Sequence, residues 1–180
     1  MNVIQTELPG VLIIEPRVIG DERGFFVETF QLERYRAAAG ISLAFVQENH
    51  SRSQRGVLRG LHFQRKHPQG KLVRVARGEI FDVAADVDPA SPSFGRWVGA
   101  TLADGNQRQM WIPPGYAHGF LVLSEVADVE YKCTDYYHPQ SETGVVWNDP
   151  ELAIAWPGEA PMLSERDRRL PTLADLKRAP

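Results

Sequence analysis

The chain has 180 residues, the length of one ordinary domain. Hydrophobic residues make up 43% of it and charged residues 24%, which excludes a disordered or low-complexity chain. The 20 Lys and Arg residues against 23 Asp and Glu residues give a net charge of −3, so the bulk charge gives no indication of binding to nucleic acid or to an anionic membrane.

The cysteine content and the hydropathy pattern indicate the compartment. The single cysteine, Cys133, can form neither an internal disulfide nor a Cys-based zinc site, and it suits a reducing environment. The first residues lack the basic and apolar regions of a secretory signal. The longest uncharged stretch, residues 109–124, is interrupted by two prolines and is too short to span a membrane. We therefore expect a cytoplasmic protein with no membrane segment.

Short apolar or alternating segments separated by turn residues dominate the chain. They predict strands at residues 11–15, 25–30, 45–50, 57–64, 71–77, 79–87, 97–103, 109–112, 119–123 and 129–136. Helical patterns cover only residues 31–39, ended by Gly40, and residues 173–178. This spacing is typical of a sandwich or barrel. We predict one all-β domain over residues 1–180, a cupin-like jelly roll with short C-terminal helices.

The strand predicted at residues 57–64 carries a cation and an imidazole. Arg59 and His62 are three residues apart, so in a regular strand they would point to opposite faces. Gly60 between them permits a bulge that would bring both side chains to one face. The alternative is an outward Arg59 with an inward, hydrogen-bonded His62.

The next predicted strand contains a lysine in an apolar setting. Lys71 shares a face with Val73 and Val75, which indicates partial burial, although lysine is rarely buried without a partner. The alternative is a lysine on an edge strand, where it would prevent aggregation.

Pro113, Gly115 and His118 have the Pro-x-Gly-x-x-His spacing of cupin barrels, in which the histidine is often a metal ligand. A metal cupin also needs a His-x-His motif, whereas His62 begins the sequence His-Phe-Gln. Two distant histidines are too few for a site with three or four ligands, so we expect no metal. For His118 the alternative is a structural histidine whose hydrogen bonds are satisfied.

Residues 129–136 are predicted to form a strand on which tyrosines alternate with other side chains. Tyr131, Cys133, Asp135 and Tyr137 would share one face of it. The two tyrosines are either packing residues or an acid and a stacking platform.

Two further segments carry charges. Residues 163–169 form a charged run, and such runs are usually solvated. Phe26, Glu28 and Phe30 alternate in the strand predicted at residues 25–30, where a glutamate between two aromatic residues would be costly in a closed core. That face would suit a polar ligand at a subunit boundary.

Seven segments, taken in order, resemble the dTDP-4-dehydrorhamnose 3,5-epimerases of the dTDP-L-rhamnose pathway. They are GDERGFFVE (20–28), QENHS (47–51), LRGLHFQ (58–64), GKLVR (70–74), PPGYAHGF (113–120), YKCTDYY (131–137) and SERD (164–167). They extend over nearly the whole chain, and the ordered set is much more specific than any one segment.

The resemblance implies an enzyme that needs neither a metal nor a cofactor. It implies that His62 is the base, that Asp167 orients it, that Tyr131 is the acid and that Lys71 lies beside the C4 oxygen of the sugar. It further implies substrate contacts from Gln47, Asn49, Arg59, His118, Tyr137, Glu142 and Arg166, with Tyr137 stacking on thymine.

The resemblance also implies a homodimer in which a strand is exchanged between subunits. Arg23, Phe26 and Glu28 would come from the partner subunit and complete a composite nucleotide site.

The implied reaction is the epimerisation of dTDP-4-dehydro-6-deoxy-D-glucose at C3 and C5 through enolates. A 3-epimerase or a ketoisomerase on the same scaffold is the first alternative. A non-catalytic cupin-like binding module is the second, but it would have a broken His–Asp–Tyr set, and this chain has all three residues.

Overall fold

The computed structural model describes residues 1–158 and 160–178. Its strands are β1 (Asn2–Gln5), β2 (Leu12–Glu15), β3 (Val18–Asp21), β4 (Gly24–Val27), β5 (Gln47–Gln54), β6 (Leu58–Gln64), β7 (Lys71–Arg77), β8 (Glu79–Ala85), β9 (Trp97–Ala103), β10 (Gln109–Ile112), β11 (Ala117–Val122), β12 (Val126–Cys133) and β13 (Glu142–Gly144). Its helices are α1 (Leu32–Ala39), α2 (Glu165–Arg168) and α3 (Leu173–Arg178). In the described residues, no helix is both long enough and apolar enough to cross a bilayer.

Two antiparallel sheets face each other. One has the strand order β1-β2-β10-β7-β12-β5 and the other the order β13-β6-β11-β8-β9. Alternate side chains of each sheet meet in a buried cluster, in which Val73 and Val129 of the first sheet lie with Ile80 and Phe120 of the second. This arrangement confirms the predicted all-β jelly roll.

The predicted strand at residues 25–30 is wrong in its bounds. Strand β4 ends at Val27 and forms a hairpin with β3. After it, the carboxylate of Glu28 lies 3.3 Å from the guanidinium of Arg34, and the ring of Phe30 packs on Tyr35 at 5.1 Å. There is therefore no shared strand face for Phe26, Glu28 and Phe30, because the side chains of Glu28 and Phe30 contact helix α1 instead.

Four short elements were not predicted. Strand β1 is mostly exposed, every residue of strand β3 is exposed, and strand β13 has only three residues, so none of the three has an apolar alternation that a sequence pattern could show. Helix α2 lies within the charged run at residues 163–169. The two predicted helices are confirmed, with Gln31 as the N-cap of α1 and Gly40 ending it in a left-handed conformation at φ 68°.

A buried polar network attaches helix α1 to the outer face of the six-stranded sheet. The Tyr35 hydroxyl donates to Gln109 Oε1 at 2.9 Å, and Gln109 Nε2 donates to the Thr29 carbonyl at 2.8 Å. Only 1% of Gln109 is exposed, so water cannot replace a lost partner. Burial raises the pKa of the Tyr35 hydroxyl to about 12.

We predict that Tyr35→Phe lowers the free energy of unfolding by about 1–3 kcal/mol, because Gln109 Oε1 loses its donor in a buried environment. Urea denaturation of both proteins would measure the difference. Tyr136→Phe is the matched control: Tyr136 is exposed, and its loss of a hydroxyl should change stability by less than about 0.5 kcal/mol. Equal effects of the two substitutions would contradict the prediction.

The native protein and Tyr35→Phe should also differ in how their free energy of unfolding depends on pH. Because the pKa of Tyr35 is raised in the folded state, its hydroxyl contributes its full stabilisation below about pH 10 and loses it as the pH rises through about 12. The stability gap between the native protein and Tyr35→Phe should therefore narrow between these pH values.

Candidate active site

A cavity of about 650 Å³ is lined by strands of both sheets and by the segment leading into helix α2. Eleven of the predicted site residues line it: Gln47, Asn49, Arg59, His62, Lys71, His118, Tyr131, Tyr137, Glu142, Arg166 and Asp167. Residues far apart in the chain thus meet at one place.

A one-residue bulge in β6 brings Arg59 and His62 to the same cavity. In the pairing with β11, His62 lies opposite His118 and Arg59 lies opposite Phe120, so three steps along β6 match two along β11. Gly60, between the two side chains, makes the extra step with φ 118°. The bulge that Gly60 permits is therefore present. The alternative is wrong for Arg59, which lines the cavity, but its hydrogen-bonded His62 is confirmed.

His62 forms a close pair with Asp167. Its Nε2 lies 2.6 Å from Asp167 Oδ1, and only 7% of the Asp167 side chain is exposed. The expectation that residues 163–169 are solvated is therefore wrong at Asp167, because the turn of helix α2 places this side chain against β6. The Ser164 hydroxyl, at the N-cap of α2, accepts a hydrogen bond from the Asp167 backbone N–H at 3.0 Å.

The Asp167 carboxyl is ionised near neutral pH. Burial acts to raise the pKa of Asp167, but hydrogen bonds and the charge of His62 outweigh it and hold that pKa below its usual value. An ionised carboxylate only accepts, so the ring nitrogen of His62 that faces Asp167 donates. In the neutral ring the other nitrogen then has a lone pair with which it can take a proton.

Lys71 faces the cavity from an inner strand, β7, between β10 and β12. Val73 and Val75 on the same face are fully buried, which confirms the expected partial burial and makes the edge-strand alternative wrong. Burial lowers the pKa of the Lys71 ammonium. Within residues 1–158 and 160–178, no side chain forms an ion pair or hydrogen bond with its Nζ, so this donor is available to a ligand.

Tyr131 lies on β12, in the sheet opposite to the one that carries His62. Its side chain is half-buried, and burial raises the pKa of its hydroxyl, which keeps it protonated. Strand β12 ends at Cys133, so the prediction that Asp135 and Tyr137 continue the same strand face is wrong.

The mouth of the cavity is bordered by a network around Tyr137. Its backbone N–H donates to Gln47 Oε1 at 2.9 Å, and its hydroxyl donates to Glu142 Oε2 at 2.7 Å. Glu142 also forms a 2.5 Å ion pair with Arg166, and Gln47 Nε2 donates to Asn49 Oδ1 at 3.0 Å. Amide, guanidinium and phenol groups are therefore held together where a polar ligand would enter.

His118 is buried and bonded to a carboxylate that the sequence analysis missed. Its Nε2 lies 2.7 Å from Asp82 Oδ1, and burial lowers the pKa of the imidazole despite this neighbour. The structural interpretation of His118 thus holds for the Asp82 contact, while His118 also lines the cavity. Asp82 lies between Phe81 and Val83 in an apolar strand, and a carboxylate in that setting indicates that it is buried with a hydrogen-bond partner.

Ser164 is a second residue that the sequence analysis did not single out. It lines the cavity and fixes Asp167 through the cap of helix α2. The Ser-x-x-Asp spacing at residues 164–167 is close to the capping-box pattern and could have located it.

Arg23, Phe26 and Glu28 lie outside this cavity. Arg23 is exposed and pairs with Asp21 in the turn of the β3–β4 hairpin, and 69% of Phe26 is exposed. Among the described residues, the two hairpin strands pair with each other and with neither large sheet.

Comparison with known proteins gives a consistent result. A family model described as dTDP-4-dehydrorhamnose 3,5-epimerase matches residues 5–175. The dTDP-4-dehydrorhamnose 3,5-epimerase of Escherichia coli (strain K12) is 55% identical over 180 residues, covering 99% of this chain and 97% of the relative.

Solved structures agree with this result. A dTDP-6-deoxy-D-glucose-3,5-epimerase from Legionella pneumophila, solved with dTDP-4-keto-L-rhamnose, is 56% identical with a TM-score of 0.93, covering 97% of this chain and 96% of that one. A 3′-monoepimerase from Streptomyces bikiniensis, solved with dTDP-quinovose, is 36% identical with a TM-score of 0.92, covering 97% and 89%. The chain therefore belongs to the dTDP-4-dehydrorhamnose 3,5-epimerase family, whose members are isomerases.

Proposed function

We propose that this chain inverts C3 and C5 of dTDP-4-dehydro-6-deoxy-D-glucose through enolate intermediates and so forms dTDP-4-dehydro-L-rhamnose. The observation that carries the proposal is the hydrogen-bonded pair of His62 with the buried Asp167, which shares one cavity with Tyr131 and Lys71. The relatives support the substrate class, since the Legionella enzyme was solved with dTDP-4-keto-L-rhamnose.

His62 is proposed as the base. The ketone at C4 acidifies the hydrogens on C3 and C5, and a neutral imidazole is suited to remove one of them near neutral pH. Asp167, 2.6 Å from the ring, orients it and stabilises the imidazolium that forms.

Lys71 is proposed to stabilise the enolate. Removing the proton leaves negative charge on the C4 oxygen, and a fixed ammonium at that oxygen lowers the energy of the transition state. The Lys71 ammonium is disfavoured by burial before this charge develops, as its lowered pKa shows. Since the enolate itself stores the electron pair, the reaction needs no redox cofactor.

Tyr131 is proposed as the acid. Inversion requires that the proton return to the opposite face of the sugar ring, so the acid and the base must stand on opposite walls. Tyr131 and His62 belong to the two facing sheets, and burial keeps the Tyr131 hydroxyl protonated. The balance is one proton lost to His62 and one gained from Tyr131 for each centre inverted.

The nucleotide is proposed to bind at the guanidinium of Arg59 and at the network around Tyr137. Arg59 Nε donates to Ser53 Oγ at 2.9 Å, which fixes the planar group that would meet a diphosphate. The ring of Tyr137 offers a flat face to thymine. Gln47, Asn49, His118, Glu142 and Arg166 are the further contacts proposed around them.

We also propose a cytoplasmic homodimer in which the β3–β4 hairpin reaches the partner's cavity. The support is that Phe25 and Phe26 are exposed on this hairpin, an unusual place for two large aromatic side chains in an isolated chain. Arg23 and Phe26 would then complete the nucleotide end of the partner's site, as would Glu28, which follows the hairpin and also pairs with Arg34.

The function is tested by NMR of the product mixture in deuterated buffer. We expect solvent deuterium at both C3 and C5, whereas deuterium at C3 alone would indicate a 3-epimerase instead.

His62→Ala should lower turnover by orders of magnitude with nucleotide binding nearly unchanged, because the imidazole acts on the sugar. Asp167→Asn should also lower kcat. Exchange at both carbons that survives in His62→Ala would overturn the assignment of the base.

Tyr131→Phe separates the acid from the base. The substitution removes a hydroxyl and little volume, so proton abstraction should survive better than inversion. Solvent exchange at C3 or C5, followed by NMR, should therefore outlast product formation. Equal loss of both would show that Tyr131 instead shapes the cavity.

Mixing two inactive variants tests the composite site. His62→Ala and Arg23→Glu should each be nearly inactive alone. If Arg23 serves the partner's site, heterodimers carry both lesions in one site and leave the other intact, so activity should return toward about half per heterodimer. Heterodimer formation is checked by mass spectrometry of differently labelled subunits. A heterodimer that forms and stays inactive would show that Arg23 serves its own chain.

A further inference from the structure

A cluster of two histidines and one aspartate lies outside the lining of the cavity. His67, Asp135 and His138 each offer one ligand atom, and these atoms all lie within 4.8 Å of one another. The rings of His67 and His138 stack with centroids 4.2 Å apart, and His67 Nδ1 is 3.8 Å from Asp135 Oδ2. None of these three side chains has a part in the proposed reaction.

The two segments that carry the cluster are held together by glutamine side chains. Gln64 is buried; its Nε2 donates to the His67 carbonyl at 2.6 Å, and its Oε1 accepts from the His138 backbone N–H at 2.6 Å. Gln69 Nε2 donates to the Asp135 carbonyl at 2.8 Å. The backbones of all three cluster residues are therefore fixed relative to one another before any ligand binds.

We propose that the His67–Asp135–His138 cluster binds one Zn²⁺ ion or a similar late first-row divalent ion. Two imidazole nitrogens and one carboxylate oxygen, with a water molecule as the fourth ligand, form a common tetrahedral ligand set for zinc. Imidazole ligands disfavour Mg²⁺ and Ca²⁺, which prefer sites built from oxygen atoms.

The geometry needs only side-chain movement. Ligand atoms bound about 2.0–2.2 Å from a tetrahedral zinc ion are about 3.3 Å apart, so the present spacing must close. The His67 side chain is 57% exposed and can rotate, and its ring leaves the stack with His138 as both nitrogens turn to the ion. The backbone of His67 has φ 58°, a conformation that asparagine also tolerates.

An ion here would act on the mouth of the cavity rather than on the chemistry. Tyr137 lies between Asp135 and His138 in the chain, and Gln69, which holds the Asp135 carbonyl, lines the cavity. The ion would restrict the backbone of the Tyr137 segment. This site is independent of the proposed epimerase reaction and would exist whether or not that proposal holds.

The test is isothermal titration of Zn²⁺ alone into untagged protein that has been dialysed against a chelator. We expect one equivalent per chain, with Mg²⁺ giving no binding. His67→Asn and His138→Asn each remove a ligand. The affinity for zinc should fall by more than the roughly 10- to 100-fold that is typical of losing a residue that only hydrogen-bonds to a metal ligand. His50→Asn, a change at another exposed histidine, should leave the titration unchanged.

Anomalous diffraction from zinc-soaked crystals locates the ion. A peak between His67, Asp135 and His138 supports the proposal. Three outcomes overturn it. They are a peak at His62 and His118 instead, zinc titrations of His67→Asn and His138→Asn that match the titration of the native chain, and the absence of saturable binding. The melting temperature in chelator should be the same for all variants, so that a loss of zinc binding reports on the ligands rather than on folding.

Discussion

The close contact of two glycines on neighbouring strands is the constraint on which the site depends. A Cβ atom on Gly60 of β6 would lie 2.5 Å from Gly119 Cα, and one on Gly119 of β11 would lie 2.7 Å from the Arg59 carbonyl. Without these side chains the strands can approach closely, and β6 accommodates its extra residue there. Arg59 and His62 then face one cavity, where helix α2 presents Asp167 to the imidazole.

Burial shifts the pKa values of two polar side chains on the six-stranded sheet, which faces the sheet that contains β6. Burial lowers the pKa of Lys71 and raises that of Tyr131, so in both cases it favours the neutral form. For the phenol this maintains a proton donor. For Lys71 it disfavours the ammonium, and negative charge that develops on a ligand atom beside it would offset this cost. The same low-polarity surroundings thus suit two different roles in the proposed reaction.

The sequence was sufficient for features that depend on local patterns. Gly40 marked the end of helix α1, and the alternation of Lys71 with two valines indicated partial burial while leaving an edge-strand lysine open. Features that depend on contacts between distant segments were harder to predict. Gly60 allowed a bulge without requiring it, since the outcome depends on Gly119 across the strand pair. Asp167 lies in a run of charges that resembles solvent-exposed surface, and only the docking of α2 against β6 buries it.

The pairing of His62 with Asp167 also bears on how the chain folds. The two residues are 105 positions apart, so the site cannot form in any short fragment of the chain. Most strand neighbours in the six-stranded sheet are likewise distant in sequence, as in the pairing of β10 with β2. Closing such long loops costs entropy before any contact compensates for it, and domains of this topology fold in milliseconds to seconds. On the ribosome, the imidazole at position 62 must wait for the synthesis of 105 further residues before it meets its carboxylate.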